Sequence, residues 1–114
     1  MTEDPTLDFE DLVHRIGSDK EFLLGLLNEF VTGLPGDLAE LEQIVAGGDA
    51  EAVVFKAHSI KGNAANLSAK EFARLALIAE MAGKEGKLGE VEAVIPALRE
   101  EAGRLKQAVA EVTQ

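Results

Sequence analysis

The chain has 114 residues, a length that predicts one domain over residues 1–114 with its folded core over about residues 8–110. Hydrophobic residues make up 46% of it, enough to form a core, and the formal net charge of −10 disfavours binding to nucleic acid or anionic membranes. The absence of cysteine excludes disulfides, thiolate nucleophiles and cysteine-ligated metals. An acidic N-terminus without a signal-like segment, and the lack of an apolar run of about 20 residues, predict a cytoplasmic protein.

Helical signals predominate, because the chain has no Tyr or Trp and few β-branched runs that would favour strands. A short first helix is predicted around residues 8–16. Ser18 and Glu21 form a capping-box pattern, which predicts a second helix starting at Asp19. Its apolar residues recur every three or four positions, which indicates one buried stripe that continues past a kink at Pro35. The stripe comprises Leu23, Leu27, Phe30, Leu34, Leu38, Leu41 and Val45.

The middle of the chain carries two further helix starts. The Gly47–Gly48 pair ends the second helix, and Asp49 is a favourable N-cap for a third helix over residues 50–67. Ser68 and Glu71 repeat the capping-box pattern and predict a fourth helix. The apolar residues that the fourth helix carries are Phe72, Leu75, Ala76, Ile78, Ala79 and Ala82.

The last part of the chain is predicted to be a turn followed by one long helix. Residues 83–89 contain three glycines and predict the turn, and the helix over residues 88–112 contains a second kink at Pro96. Its buried side comprises Val91, Val94, Ile95, Leu98, Ala102, Leu105 and Val109. Four long amphipathic helices joined by short loops predict an all-α protein, an antiparallel four-helix bundle with the short first helix packed over one end.

The third helix has an unusual outer face. At about 100° per residue, one narrow sector forms its core face and holds Val53, Ala57, Ile60, Ala64 and Leu67. His58 projects roughly 140° from the centre of that sector, so its imidazole is predicted to stand in solvent. Gly62 lies nearly opposite the core, and Phe55 and Asn66 project within about 40° of the exposed pole. Lys61 is three residues from His58 and therefore beside it on the helix surface.

These residue types suit phosphoryl chemistry better than helix stability, since an exposed glycine costs a helix about 1 kcal/mol relative to alanine. A neutral imidazole is a nucleophile near neutral pH, and its attack on phosphorus would give a phosphoramidate. The ammonium of Lys61 could offset the charge of the phosphoryl oxygens through a charge-assisted hydrogen bond. Gly62 would leave room beside the ring of His58 for the active site of a partner to approach.

The segment over residues 57–69, AHSIKGNAANLSA, resembles the signature of histidine-containing phosphotransfer (HPt) domains of bacterial phosphorelays. That signature has His, two residues, Lys-Gly, small residues and then Asn-Leu-Gly-Ala. The Gly-Asp-Ala before the third helix and the proline within the second are also typical, so the resemblance covers about residues 8–105. One departure is Ser68, where the family usually has a glycine that suits a left-handed turn.

The resemblance implies that His58 is the phosphorylated residue, that Lys61 stabilises the phosphoryl group and that Gly62 provides clearance. It implies a phosphotransfer intermediate without kinase activity of its own, which passes a phosphoryl group between receiver-domain aspartates or accepts it from a sensor histidine kinase. No metal or cofactor is expected on the chain, and any Mg²⁺ would belong to the receiver. The chain is expected to be a monomer. The predicted partner-binding residues are Phe55, Gly62, Ala65 and Asn66.

Two alternatives belong to other functional classes. A non-catalytic helical adaptor would dock a partner through the surface around Phe55 and Gly62 and make no use of the imidazole. A carboxylate-bridged metal pair needs Glu-x-x-His motifs on facing helices, and the chain has none, since Phe55 stands three residues before His58. The other histidine, His14, follows Asp11 by three residues and is interpreted as a solvated polar position on the first helix.

Overall fold

A computed structural model describes residues 6–113 of the chain, with side chains up to residue 112. The described residues form five helices and no strand: α1 (Phe9–Ile16), α2 (Lys20–Ala46), α3 (Ala50–Asn66), α4 (Lys70–Lys84) and α5 (Leu88–Thr113). The first five residues of the predicted domain, and its last one, lie outside the described residues. Within residues 6–113, no helix combines the length and hydropathy needed to cross a membrane.

Aspartate side chains cap the first three helices. Asp8, Asp19 and Asp49 each accept a hydrogen bond from the backbone N–H three residues further on. Each carboxylate thereby satisfies one of the N–H groups that a helix start leaves free. The predicted capping box of Ser18 and Glu21 is therefore wrong by one residue, because the carboxylate of Asp19 takes the capping position and the helix begins after it.

The link between α3 and α4 contradicts the second predicted capping box, that of Ser68 and Glu71. Ser68 has a φ of +59°, in the left-handed region, and no side chain caps α4, whose N-cap is Ala69. The N–H groups of Ser68 and Ala69 bond to carbonyls in the last turn of α3, the pattern of a Schellman ending. Ser68 thus adopts the turn geometry that suits glycine, while its hydroxyl donates to Asp11 Oδ2 of α1 at 2.8 Å.

The core follows the predicted stripes, and the helices continue through both Pro35 and Pro96, as predicted. Helix α2 contacts α3 and α5, and α4 contacts the same two helices, so the four long helices surround one core. Ile78 is 42% exposed because it projects about 110° from the centre of the buried face of α4. Four predicted core residues are only partly buried: Phe30, Leu67, Val94 and Ala102.

Gly83 is a buried residue of α4, which corrects the predicted turn over residues 83–89. The turn is confined to residues 85–87, and α5 begins at Leu88. A Cβ atom on Gly83 would lie 3.1 Å from a methyl carbon of Val53 and equally close to one of Val54. Glycine at this position therefore allows α4 to lie unusually close to α3.

Helix α1 packs against the start of α2 and the end of α5. Its Leu12 is fully buried against Leu23 and Leu27 of α2 and Val109 of α5, in a cluster separate from the main core. The backbone N–H of Asp8 also donates to the backbone carbonyl of Ser68, in the turn between α3 and α4, at 3.0 Å. These contacts attach α1 to α2, to α5 and to the turn between α3 and α4.

Candidate functional site

The outer face of α3 is exposed as the helical projection predicts. The side chain of His58 is 66% exposed and Phe55 is 80% exposed. Ala65 and Asn66 are exposed as well, and Gly62 is half-buried. Apart from its chain neighbours and the backbone of its own helix, a Cβ atom on Gly62 would have no atom within 4 Å, so this glycine faces open space rather than the core.

A carboxylate of the neighbouring helix joins the imidazole to two lysines. Glu80 of α4 has its Oε2 atom 3.1 Å from His58 Nδ1 and its Oε1 atom 2.7 Å from Lys61 Nζ. The ammonium of Lys84, one turn further along α4, lies 3.4 Å from Oε2. The side chain of Glu80 is only 4% exposed, so the four groups form one compact cluster at the α3–α4 boundary, which we call the Glu80 cluster.

Two members of the Glu80 cluster, Glu80 and Lys84, were missed by sequence reasoning. A glutamate and a lysine four residues apart are an ordinary exposed pair on a helix, so their spacing did not indicate a contact with His58 on another helix. One signal was available: Glu80 directly follows Ala79 in the buried stripe, at the edge of a face where a charged residue needs a partner. That partner could not be named without knowing how α3 and α4 pack.

The electrostatics of the Glu80 cluster determine which nitrogen of His58 is free. The pKa of Glu80 is lowered to about 2, mainly by the hydrogen-bonding ammonium of Lys61, with His58 and Lys84 acting in the same direction and burial opposing them. Glu80 is therefore ionised at neutral pH and can only accept hydrogen bonds. The facing Nδ1 of a neutral His58 ring must then carry the proton, which leaves the lone pair on Nε2.

The cluster also carries an excess of positive charge. Two ammonium groups face one carboxylate, so the site has one net positive charge while the imidazole is neutral. The whole chain, in contrast, has a formal net charge of −10. The charge of this cluster is thus opposite in sign to that of the whole chain, and its two ammonium groups can attract an anionic group.

One hollow lies beside the exposed imidazole. It has a volume of about 910 Å³, and His58 lines it together with three apolar residues, Ile44 of α2 and Val54 and Phe55 of α3. Charged side chains line it as well, among them Glu40, Lys56 and Glu80. The surface next to the imidazole is therefore partly apolar and partly charged.

The predicted partner-binding residues do not all lie together. Asn66 lines a second hollow, of about 400 Å³, with Leu26 and Phe30 of α2 and away from Phe55. Ala65 is exposed on the same helix. His14 is exposed on α1, and the neighbouring Asp11 bonds instead to Arg15 and Ser68.

An all-helical fold that presents an exposed imidazole, supported by a carboxylate and two lysines, fits a protein that holds a phosphoryl group on histidine. A sequence profile of the Hpt domain matches residues 25–112, and the chain therefore belongs to the Hpt domain family and is a histidine phosphotransfer protein of phosphorelays. Its fold is similar to the crystal structure of histidine-containing phosphotransfer protein B (HptB) from Pseudomonas aeruginosa PAO1. The two share 26% sequence identity with a TM-score of 0.85, over 96% of this chain and 95% of that one. Among curated protein sequences, no significant match is found.

Proposed function

We propose that the chain transfers phosphoryl groups through the Nε2 atom of His58. The observation that carries this proposal is the 3.1 Å contact between Nδ1 and the ionised Glu80, which holds the ring proton on the inner nitrogen. The Nε2 lone pair attacks the phosphorus of a receiver aspartyl phosphate. The N–P bond forms as the P–O bond to the aspartate breaks, and the departing carboxylate keeps the electron pair. The Nδ1 proton stays in place, so the ring becomes an imidazolium whose charge faces Glu80.

Lys61 has two proposed roles in this reaction. It keeps Glu80 ionised through the 2.7 Å ion pair, and it adds positive charge beside the phosphoryl oxygens. Its side chain is 27% exposed, so water screens part of that charge. Lys61→Ala is therefore expected to weaken the phosphorylated state by about 1 kcal/mol rather than by several, without loss of helicity. A transfer assay and a circular dichroism spectrum on the same sample check both expectations.

The proposed partners are receiver domains and a sensor histidine kinase, in the cytoplasm. The predicted contact surface, including Phe55 and Gly62, flanks His58 on the outer face of α3. No cofactor is proposed for the chain itself, and the Mg²⁺ needed for aspartyl phosphate chemistry is assigned to the receiver. Phe55→Ala is expected to weaken receiver binding, because an aromatic side chain that is 80% exposed would lose its apolar contact.

The fold proposed for this activity is a monomeric, antiparallel four-helix bundle of α2–α5 with α1 over one end. Contacts of α2 and α4 with both α3 and α5 support it. The direction of α3 against α4 also supports it, because Gly83 lies close to Val54 while Glu80 contacts His58. Residues later in α4 thus lie against residues earlier in α3, as expected for two antiparallel helices.

Phosphorylation by a receiver domain charged with acetyl phosphate tests the assignment of His58. The parent and His14→Gln are expected to gain one phosphate that is labile in acid and stable in alkali, while His58→Gln gains none. Mass spectrometry of the three proteins measures this directly. Phosphate on His58→Gln would refute the proposal, and a parent that binds the receiver without accepting phosphate would favour the adaptor.

A further inference from the structure

Lys84 shares one carboxylate oxygen with the reactive histidine. Its Nζ lies 3.4 Å from Glu80 Oε2, and His58 Nδ1 lies 3.1 Å from the same atom. The two nitrogens are therefore at most about 6.5 Å apart, the total of those two distances. A long, flexible side chain that starts this close to the ring can bring its ammonium to a group bonded to Nε2.

The two lysines of the Glu80 cluster are held differently. Lys61 is 27% exposed and forms the shorter ion pair with Oε1, whereas Lys84 is 60% exposed and forms the longer one. Withdrawing Lys61 would remove the closest cation from a carboxylate that is almost fully buried, which is costly. Withdrawing Lys84 leaves Glu80 with both Lys61 and His58. Lys84 can therefore change partner at the lower cost.

Phosphorylation of His58 changes the interactions of Lys84 with Glu80 Oε2 in two ways. The ring becomes an imidazolium, and its charged N–H is a stronger donor to Glu80 Oε2 than the neutral ring was. The phosphoryl oxygens on the other side of the ring offer Lys84 a group with more negative charge than the carboxylate. Both changes favour movement of the Lys84 ammonium from Glu80 to the phosphoryl group, which exchanges one ion pair for another with no covalent bond broken and no proton transferred.

We propose that Lys84 is a second phosphoryl-binding cation, which rests on Glu80 in the free protein and moves to the phosphoryl group of phosphorylated His58. This proposal rests on the assignment of His58 as the phosphoacceptor. It gives the two lysines separate tasks. Lys61 stays paired with Glu80 and adds positive charge beside the phosphoryl oxygens from there, whereas Lys84 leaves Glu80 and binds the phosphoryl oxygens directly.

The equilibrium between the chain and a phosphorylated receiver domain tests the role of Lys84. Lys84→Ala is expected to lower the equilibrium ratio of phosphorylated to free His58 by about two- to fivefold, the range of an exposed ion pair. Lys84→Arg is expected to restore most of that ratio. Lys87→Ala is the matched control, because it removes the same charge from an exposed lysine that pairs with Glu85 and Glu90, away from the ring.

A second measurement uses the parent protein and does not depend on the variants. The side-chain nitrogen resonance of Lys84 is expected to shift when His58 is phosphorylated, and that of Lys87 is not. An unchanged Lys84 resonance, or equal losses in Lys84→Ala and Lys87→Ala, would overturn the proposal. Failure of the underlying assignment is a different result, because the parent His58 would then carry no phosphate at all.

Discussion

Replacing Glu80 with glutamine removes the central charge of the site while preserving the shape of the side chain. Lys61 and Lys84 lose the carboxylate that holds them, and the amide still offers an oxygen to His58 Nδ1. The amide can also turn its NH₂ group toward the ring, which the carboxylate could not do. Glu80→Gln therefore separates the effect of the charge from that of a hydrogen-bond acceptor.

The size of the effect follows from the pKa of Glu80, which is about 2 in the folded chain and 4.5 in its ordinary state. At 1.36 kcal/mol per unit, this difference corresponds to a contribution of about 3 kcal/mol to the free energy of unfolding. Because the pKa is lowered by folding, the contribution is present above about pH 4.5 and is lost as the pH falls to about 2. Glutamine does not titrate, so the variant lacks this contribution at every pH.

Urea denaturation followed by helicity between pH 2 and pH 7 measures the effect. The free energy of unfolding of the parent minus that of Glu80→Gln is expected to fall by about 2 to 3 kcal/mol as the pH is lowered from about 4.5 to about 2. Glu85→Gln is the control, because Glu85 is 56% exposed and pairs with Lys87 at the surface. The free energy of unfolding of the parent minus that of Glu85→Gln is expected to change by less than about 0.5 kcal/mol over the same pH range. A parent-minus-Glu80→Gln difference that does not vary with pH would refute the reasoning.

The same variant has a spectroscopic consequence at the ring. In the parent, the neutral ring of His58 is expected to carry its proton on Nδ1, and in Glu80→Gln a mixture of both tautomers is expected. Nitrogen NMR of the imidazole distinguishes the two forms. A parent ring protonated on Nε2 would contradict the choice of Nε2 as the nucleophile.

Substitutions at three further positions test other parts of the structure. Gly62→Ala is expected to raise the free energy of unfolding by up to about 1 kcal/mol, because its Cβ meets open space. Gly62→Leu should melt no lower than the parent yet transfer poorly, since its side chain would occupy the approach to His58; melting temperature and transfer rate on the same samples check both. Gly83→Ala is expected to give no such gain, because its Cβ would lie 3.1 Å from methyl carbons of two valines of α3, and thermal denaturation beside Gly62→Ala tests this. Arg104→Ala is expected to lower the free energy of unfolding in urea denaturation, because Glu101 is 1% exposed and would lose its 2.7 Å donor. An unchanged free energy of unfolding would show that the carboxylate of Glu101 does not depend on that arginine.

The helices could be predicted because each one is encoded locally. Apolar spacing identified the buried faces, and Asp49 and the Gly47–Gly48 pair marked helix boundaries that the structure retains. One error, at the start of α2, occurs where two neighbouring residues could both cap the helix. Ser18 and Asp19 are both good N-caps by type, and the direction in which the chain enters α2 decides which oxygen reaches the free N–H.

The candidate site was predictable only in the part that lies on one helix. His58, Lys61 and Gly62 are close in sequence, so a projection of α3 was enough to place them on its outer face. Glu80 belongs to the next helix, 22 residues from His58, and its contact depends on how two helices pack. Periodicity identifies which face of a helix is buried and does not give the rotation and spacing of its neighbour.

The spacing of α3 and α4 at the site is set by Gly83. It lies close to Val54, which is one turn before His58 on α3, and it follows Glu80 by three residues on α4. The close approach of the two helices thus occurs one turn from the hydrogen bond between carboxylate and imidazole. A side chain at this position would push the helices apart and draw Glu80 away from the ring, whereas Gly62 faces outward and leaves the other side of the ring open. The buried glycine allows the carboxylate of Glu80 to reach the ring, and the exposed glycine has the proposed role of leaving room for a partner on the other side.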